Sequence, residues 1–88
     1  MNIEVKIVKT FPQSVKLKAF ADLRIENCFA IHGLKVIDSE KGMFVAMPST
    51  KAGDGYQDIF HPITKEARDQ VTSLVLSEYE RHLQYEMT

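Results

Sequence analysis

The chain has 88 residues, a length that predicts a single domain spanning residues 1–88. Eleven Lys and Arg residues oppose twelve Asp and Glu residues, and the net charge of −1 excludes a global positive field that could hold a polyanion. Any nucleic-acid site must therefore be a local patch of the surface.

Cysteine usage and hydropathy predict a soluble, cytoplasmic protein. The single cysteine, Cys28, cannot form an internal disulfide, and the N-terminal residues alternate in polarity, so no signal peptide is expected. The longest apolar runs, residues 28–31 and 43–47, are far shorter than the roughly 20 residues that span a bilayer, so membrane insertion is not expected. A domain this small buries only about two thirds or less of its unfolded surface, which favours a homodimer.

The N-terminal third of the chain predicts two strands. Ile3, Val5 and Ile7 alternate with polar residues, which is typical of a strand with one buried face. A connection around Pro12 follows, because proline fixes its own φ and lacks an N–H. In residues 15–25 every odd position is apolar. A strand of this length would reach roughly 36 Å, which predicts either a bulge or a partner strand from another subunit.

The middle of the chain predicts a further hairpin and an exposed loop. The apolar residues change phase at Gly33, as a bulge would produce. Residues 39–42, Ser-Glu-Lys-Gly, are predicted to close a hairpin, and residues 48–55 to form an exposed polar loop. A strand is then expected to end at His61, because the following proline favours an extended conformation before it.

The C-terminal third changes to a helical period. Thr64 can accept hydrogen bonds from amides of the first turn, and Glu66 lies near the positive end of the helix dipole. A helix is therefore predicted over about residues 65–85. Together the elements predict an α+β fold in which an antiparallel β-sheet of about four to five strands packs with a long C-terminal helix.

The apolar arc of this helix is wider than contact with one sheet requires. Leu76, Tyr79 and Leu83 lie well around the cylinder from Leu74. The surplus indicates either deeper burial or a subunit contact, and both alternatives stay open.

Catalytic and metal-binding chemistry has little support in the sequence. Residues 53–55, Gly-Asp-Gly, lack the spacing of a phosphate-binding loop and are better explained by a tight turn. Cys28, His32 and His61 do not reach the four ligands of a usual zinc site; the cysteine is expected to be buried and the histidines to bond locally. We therefore expect no catalytic residue, no metal, no cofactor and no small-molecule substrate.

Two surfaces are candidates for nucleic-acid binding. The first is the polar face of the second strand, with Lys16, Lys18, Phe20 and Arg24, where basic and aromatic residues interleave. Acidic neighbours dilute its charge, and a solvated face or a face covered by the helix is at least as good an interpretation. The second is the loop of residues 48–55 with the helix start.

At this second surface, short polar side chains, glycine backbone and the helix N-terminus suit phosphate oxygens. Lys65 and Arg68 are the basic residues of the helix start. Such residues also occur in any exposed hairpin loop, so this pattern has low specificity by itself.

The amino-acid sequences of several segments are more specific than this loop pattern. These segments are residues 31–38 (IHGLKVID), 42–49 (GMFVAMPS) and 61–63 (HPI), and shorter matches extend to Arg68 and residues 77–79. In these segments the chain resembles the SpoVG family (stage V sporulation protein G). The resemblance covers nearly the whole chain and implies a small dimeric α+β protein that binds DNA and RNA and regulates septation, sporulation or gene expression in bacteria.

The resemblance also implies which residues contact nucleic acid. In the family a pair of basic residues commonly follows the Met-Pro-Ser turn, and the matching positions here are Thr50 and Lys51. Gln57 occupies a further position that is basic in the family. Lys51 is thus implied as the principal contact. Lys65 and Arg68, the basic residues of the helix start, are predicted as accessory phosphate contacts. Thr50 and Gln57 would position the backbone, and fewer basic residues would flatten the salt dependence of binding.

An interaction adaptor in the division machinery, with weak or no nucleic-acid binding, is the alternative function. The near-zero net charge favours it. It predicts binding that is insensitive to salt and to Lys51, with Leu76, Tyr79 and Leu83 forming the contact instead. An enzyme would require a concave site with a perturbed titratable group, for which the sequence gives no support.

Overall fold

Seven elements make up the fold of the computed structural model, which describes residues 1–87 and the side chains of residues 1–85. The strands are β1 (Ile3–Thr10), β2 (Leu17–Ile25), β3 (Phe29–Ser39), β4 (Gly42–Ala46), β5 (Ser49–Ala52) and β6 (Gly55–Asp58), and the helix is α1 (Lys65–Met87). Strands β1 to β4 form an antiparallel sheet in sequence order, and β5 pairs with β6 in a separate two-stranded sheet. The predicted α+β class is confirmed.

Irregular pairing in the main sheet explains the length of the second strand. The register of β2 against β3 shifts between Leu17 and Ala19 and again between Ala21 and Leu23. These shifts confirm the bulge that the strand length predicted, and the strand's neighbours belong to the same chain. Strand β2 begins at Leu17, two residues later than the alternation indicated.

The shift near Leu17 moves Lys18 away from Arg24, the other basic residue of β2. Leu17 pairs with Ile37, whereas Lys18 lines a cleft beside Leu76 and Tyr79 of the helix. Bulged positions break the strict alternation of side chains between the two faces of a sheet. The predicted grouping of Lys18 with Arg24 on one polar face was therefore wrong.

Helix α1 covers one face of the main sheet and packs mainly against β1, β4 and β3. The buried apolar residues are Ile3, Ile7, Ala19, Ala21, Leu23, Leu34, Val36, Val45, Met47, Val71, Val75 and Tyr79. Tyr79 is only 8% exposed, and Leu76 and Leu83 pack against this core while partly buried. Deeper burial therefore accounts for most of the wide apolar arc of the helix.

Local hydrogen bonds fix the ends of the elements. Ser39 Oγ donates to the carbonyl of Gly42 at 2.7 Å, which confirms the hairpin predicted at residues 39–42. The amide of Ala67 donates to Thr64 Oγ1 at 3.1 Å, so Thr64 is the N-cap of α1 as predicted. Within residues 1–87, no helix combines the length and apolar character needed to cross a membrane.

Candidate nucleic-acid interface

Residues 48–55, predicted as an exposed loop, form most of a β-hairpin. Strands β5 and β6 pair in register, and the tight turn expected at the Gly-Asp-Gly segment is present, with Gly53 at a φ of 58°. Strand β6 ends at Asp58, so the prediction of a strand that continues to His61 was wrong. Alternating side chains in a short polar segment give too weak a signal to distinguish a solvated hairpin from a loop.

The base of the hairpin is attached to the main sheet. Pro48 is buried, contrary to its predicted exposure, and its carbonyl accepts a hydrogen bond from the amide of Ile59 at 2.9 Å. Gly33 of strand β3 lies beside it, since a Cβ added at this glycine would be 3.7 Å from Pro48 Cβ. The hairpin therefore leaves the core at a fixed point, while residues 49–58 themselves are exposed.

The register separates the three hairpin residues that the sequence singled out. Thr50 lies opposite Gln57, and Lys51 lies opposite Tyr56. Side chains alternate between the two faces of a strand, so Thr50 and Gln57 share one face and Lys51 projects from the other. The three residues are thus brought into one hairpin but not onto one surface.

The electrostatics of the hairpin are mixed. Lys51 is its single basic residue in residues 49–58, whereas Asp54 and Asp58 are acidic, which gives the segment a net charge of −1. Ser49 pairs with Asp58, and alternation places this pair on the same face as Lys51. Coulombic attraction for a phosphate backbone is therefore local to the end of the Lys51 side chain.

The two basic residues of the helix start lie in another element. Lys65 and Arg68 are exposed in the first turns of α1, joined to the hairpin by residues 59–64. Lys65 Nζ lies 3.4 Å from Asp69 Oδ2, an exposed ion pair of the kind that contributes little to stability but offsets local charge.

The sheet face opposite the helix, the first candidate surface, carries one ion pair and one contact between a histidine and a carboxylate. Arg24 Nη1 lies 3.9 Å from Glu4 Oε2, and His32 Nδ1 lies 2.8 Å from Asp22 Oδ2. These pairs show a solvated face, one of the interpretations left open above. His32 bonds locally as predicted.

Phe20 is not isolated on this face. Its ring packs edge to face against Phe11 with centroids 5.0 Å apart, and Lys9 Nζ lies 5.3 Å from the centroid of the Phe11 ring. The aromatic residue predicted to stack on bases therefore already has an intramolecular partner.

Cys28 and His61 are the remaining residues that were considered as metal ligands or catalytic groups. Cys28 is exposed in the turn after β2, so its predicted burial was wrong. His61 Nδ1 lies 3.2 Å from the carbonyl oxygen of Pro62, a local contact as predicted. Among residues 1–87, no three or more His, Cys, Asp or Glu side chains cluster in a way that could hold a metal ion.

Tyr56 is the residue of this hairpin that sequence reasoning missed. It is 79% exposed although it is large and aromatic. The signal that could have found it is the pairing across the Gly-Asp turn, which places residue 56 opposite residue 51 once a hairpin is assumed.

These features define a small α+β protein with one helix-covered sheet and an exposed polar hairpin. The family model for SpoVG matches residues 1–81. The chain therefore belongs to the SpoVG family.

Relatives from distant organisms match over most of their length. A protein of Lachnoclostridium phytofermentans is 47% identical over 81 residues, which cover 91% of this chain and 87% of the relative. A protein of Myxococcus xanthus is 46% identical over 78 residues, covering 86% and 79%. A protein of Archaeoglobus fulgidus is 44% identical over 78 residues, covering 88% and 91%. Each relative carries the name of a septation protein, SpoVG.

Proposed function

We propose that this chain is a non-catalytic regulator, one domain spanning residues 1–88, that binds DNA or RNA in the cytoplasm through the β5–β6 hairpin and thereby acts on septation, sporulation or gene expression. The observation that carries the proposal is the position of Lys51, which projects from an exposed hairpin held at its base by Pro48. A solvent-exposed cation on a hairpin that is anchored at its base can reach phosphate oxygens without opening the core.

The other predicted contacts have roles that follow from their places. Thr50 and Gln57 are a cross-strand pair whose hydroxyl and amide groups can donate to phosphate or sugar oxygens from the opposite face of the hairpin. Lys65 and Arg68 would add accessory phosphate contacts from the helix start. A strand of nucleic acid that runs along the hairpin toward the helix would contact the hairpin pair and then the two basic residues of the helix start.

The test of this proposal is Lys51→Ala, measured by fluorescence anisotropy with single-stranded RNA and duplex DNA at low and near-physiological salt. Loss of one phosphate contact should weaken binding about fivefold near 0.1 M salt and lower the salt slope by about 0.7 to 0.9. Lys41→Ala is the matched control, because Lys41 is an exposed lysine of a different hairpin and lies in the turn between β3 and β4.

Two results would count against this role of the hairpin. Equal losses for Lys51→Ala and Lys41→Ala would indicate a nonspecific contribution of charge. Unchanged affinity in folded Lys51→Ala protein would remove the hairpin from the binding surface.

The adaptor remains the alternative, with a smaller surface than the sequence indicated. Tyr79 is only 8% exposed, so Leu76 and Leu83, which are partly buried, offer a partner more surface. These three residues and Met43 line one cleft. Lys18, Asp38 and Glu80 also line it, giving an apolar floor with charges of both signs. Absence of saturable nucleic-acid binding at low salt, with partner binding lost on changing Leu76 and Leu83, would favour the adaptor.

A homodimer is part of the proposal. Phe29, Phe44 and Ile63 are large apolar side chains that stay exposed in the monomer, and a small domain gains stability by covering such surface. Sedimentation equilibrium at micromolar concentration should give twice the 10.0 kDa mass of the chain. A mass that stays at one chain over the whole concentration range would contradict the dimer.

A further inference from the structure

Tyr56 and Lys51 form a cross-strand pair on one exposed face of the hairpin. They are direct partners in the register of β5 and β6. Side chains of directly opposed residues in an antiparallel pair lie close enough to act on the same ligand. An aromatic ring and a cation are thus presented side by side to solvent.

The exposure of Tyr56 is not explained by packing. Its side chain is 79% exposed and belongs to neither the buried core nor the apolar residues packed against it. Tyr56 takes no part in the edge-to-face contact of Phe11 with Phe20 or in the contact of Lys9 with the Phe11 ring. The flat faces of its ring are therefore accessible to a ligand.

Because the hairpin has a net negative charge, nucleic-acid binding by this hairpin needs a contribution that does not depend on charge. With a net charge of −1 over residues 49–58, the hairpin cannot hold a polyanion by its field alone. Stacking of a base on an aromatic ring is a contribution that does not depend on charge and accepts any base. Lys51 beside the ring can then contact a phosphate next to the stacked base.

We propose that Tyr56 is a base-stacking residue and that the Tyr56–Lys51 face of the hairpin binds unpaired nucleotides, so that single-stranded RNA or DNA is the preferred ligand over duplex. This inference rests on the proposed function and names its substrate class. Bases of a duplex are already stacked on each other and present only their edges, so a protein ring gains no partner there. Unpaired bases have free faces.

A tryptophan at this position gives a direct readout. The chain contains no Trp, so Tyr56→Trp introduces a unique fluorophore at the proposed contact. Titration with oligouridine RNA or oligothymidine DNA should quench and saturate its emission, because a stacked base lies on the indole ring. Tyr85→Trp is the matched control, since Tyr85 is 83% exposed and lies near the far end of α1. Its emission should change little.

Affinity measurements separate stacking from charge. Tyr56→Ala should weaken binding of the single strands roughly 5- to 150-fold, the range for loss of one base–aromatic stack, and leave the salt slope unchanged. Tyr56→Phe should restore most of the affinity, because it keeps the ring. Duplex binding should change less than about twofold, whereas Lys51→Ala should lower the salt slope for all ligands.

Each outcome decides between the two proposals. Binding that depends on Lys51 and salt, with unchanged affinity in Tyr56→Ala and no quenching in Tyr56→Trp, would overturn the stacking role and leave the proposed function intact. Equal losses for single strands and duplex in Tyr56→Ala would overturn the single-strand preference. Absence of saturable binding to any of these nucleic acids by the parent protein would overturn both. Circular dichroism of each variant should match the parent, since none of the changed side chains is buried.

Discussion

Replacing Leu34 with alanine is expected to lower the free energy of unfolding by about 2–5 kcal/mol. Leu34 lies in the middle of β3, has 0% exposure and pairs with Ala21 of β2. Because its neighbour across the strands is already a small residue, little side-chain volume is available to fill the space that the substitution would leave. The folding stability of a domain this size is on the order of 5–10 kcal/mol, so the loss would be a large fraction of the total.

Urea unfolding followed by circular dichroism measures this effect. Val15→Ala serves as the control, since it deletes apolar carbons from a side chain that is 81% exposed and lies outside the surface proposed for the dimer, and it should change the free energy by less than about 0.5 kcal/mol. Similar losses for both variants would mean that Leu34 is not a central core residue.

The second large effect is expected at Gly33. Its φ of 94° lies in the left-handed region that side chains rarely adopt, and Gly33→Val should destabilise the fold by about 1–3 kcal/mol. The added Cβ itself has ordinary space, 3.7 Å from Pro48 Cβ, so backbone conformation is the larger cause. The branched methyl groups of valine would then press on the base of the hairpin.

Gly55→Val is the matched control for this substitution. Gly55 has no left-handed φ, and a Cβ added there meets open space. Its substitution should change the free energy of unfolding by less than about 0.5 kcal/mol, as measured in the same urea titration. If Gly55→Val proved as destabilising as Gly33→Val, a general cost of valine in these strands would replace the explanation from φ.

The elements with strong periodicity could be predicted from the sequence. The α+β class could be predicted from alternating apolar residues in β1 and β2 and from the N-cap Thr64 before a helical spacing of apolar residues. Burial of one face of a strand or helix imposes these two spacings on the sequence. The phase change at Gly33 indicated an irregular strand, and a left-handed φ at this residue is present. Each of these signals lies within one segment of the chain, so it can be read without knowing which segments pack together.

Features that depend on contacts between segments could not be predicted. The face to which Lys18 belongs depends on how β2 pairs with β3, and alternation within β2 alone assigned it wrongly. The burial of Pro48 and Tyr79 depends on neighbours that are distant in sequence. The face that a residue takes beside a bulge and the placement of the helix are properties of the assembled sheet, and composition does not encode them separately.

For the candidate site, the sequence predicted a segment but not how its side chains divide between two faces. Resemblance and turn chemistry directed attention to Lys51, Thr50 and Gln57, which do lie in one hairpin. Their division between two faces, and the partnership of Lys51 with Tyr56, required the register of β5 and β6. A shift of one residue in that register would reverse which side chains share a face.

The separation of the β5–β6 hairpin from the main sheet makes this part of the chain a replaceable module. In the described part of the chain, strands β5 and β6 pair with each other and with no strand of the main sheet. The hydrogen bond from the amide of Ile59 to the carbonyl of Pro48 closes the hairpin at its base. Changes in the length or amino-acid sequence of the hairpin leave the pairing of β1 to β4 unchanged, so they should lower the free energy of unfolding only slightly. Under the proposed function, substitutions in the hairpin would therefore change the ligand while the scaffold that supports the hairpin stays the same.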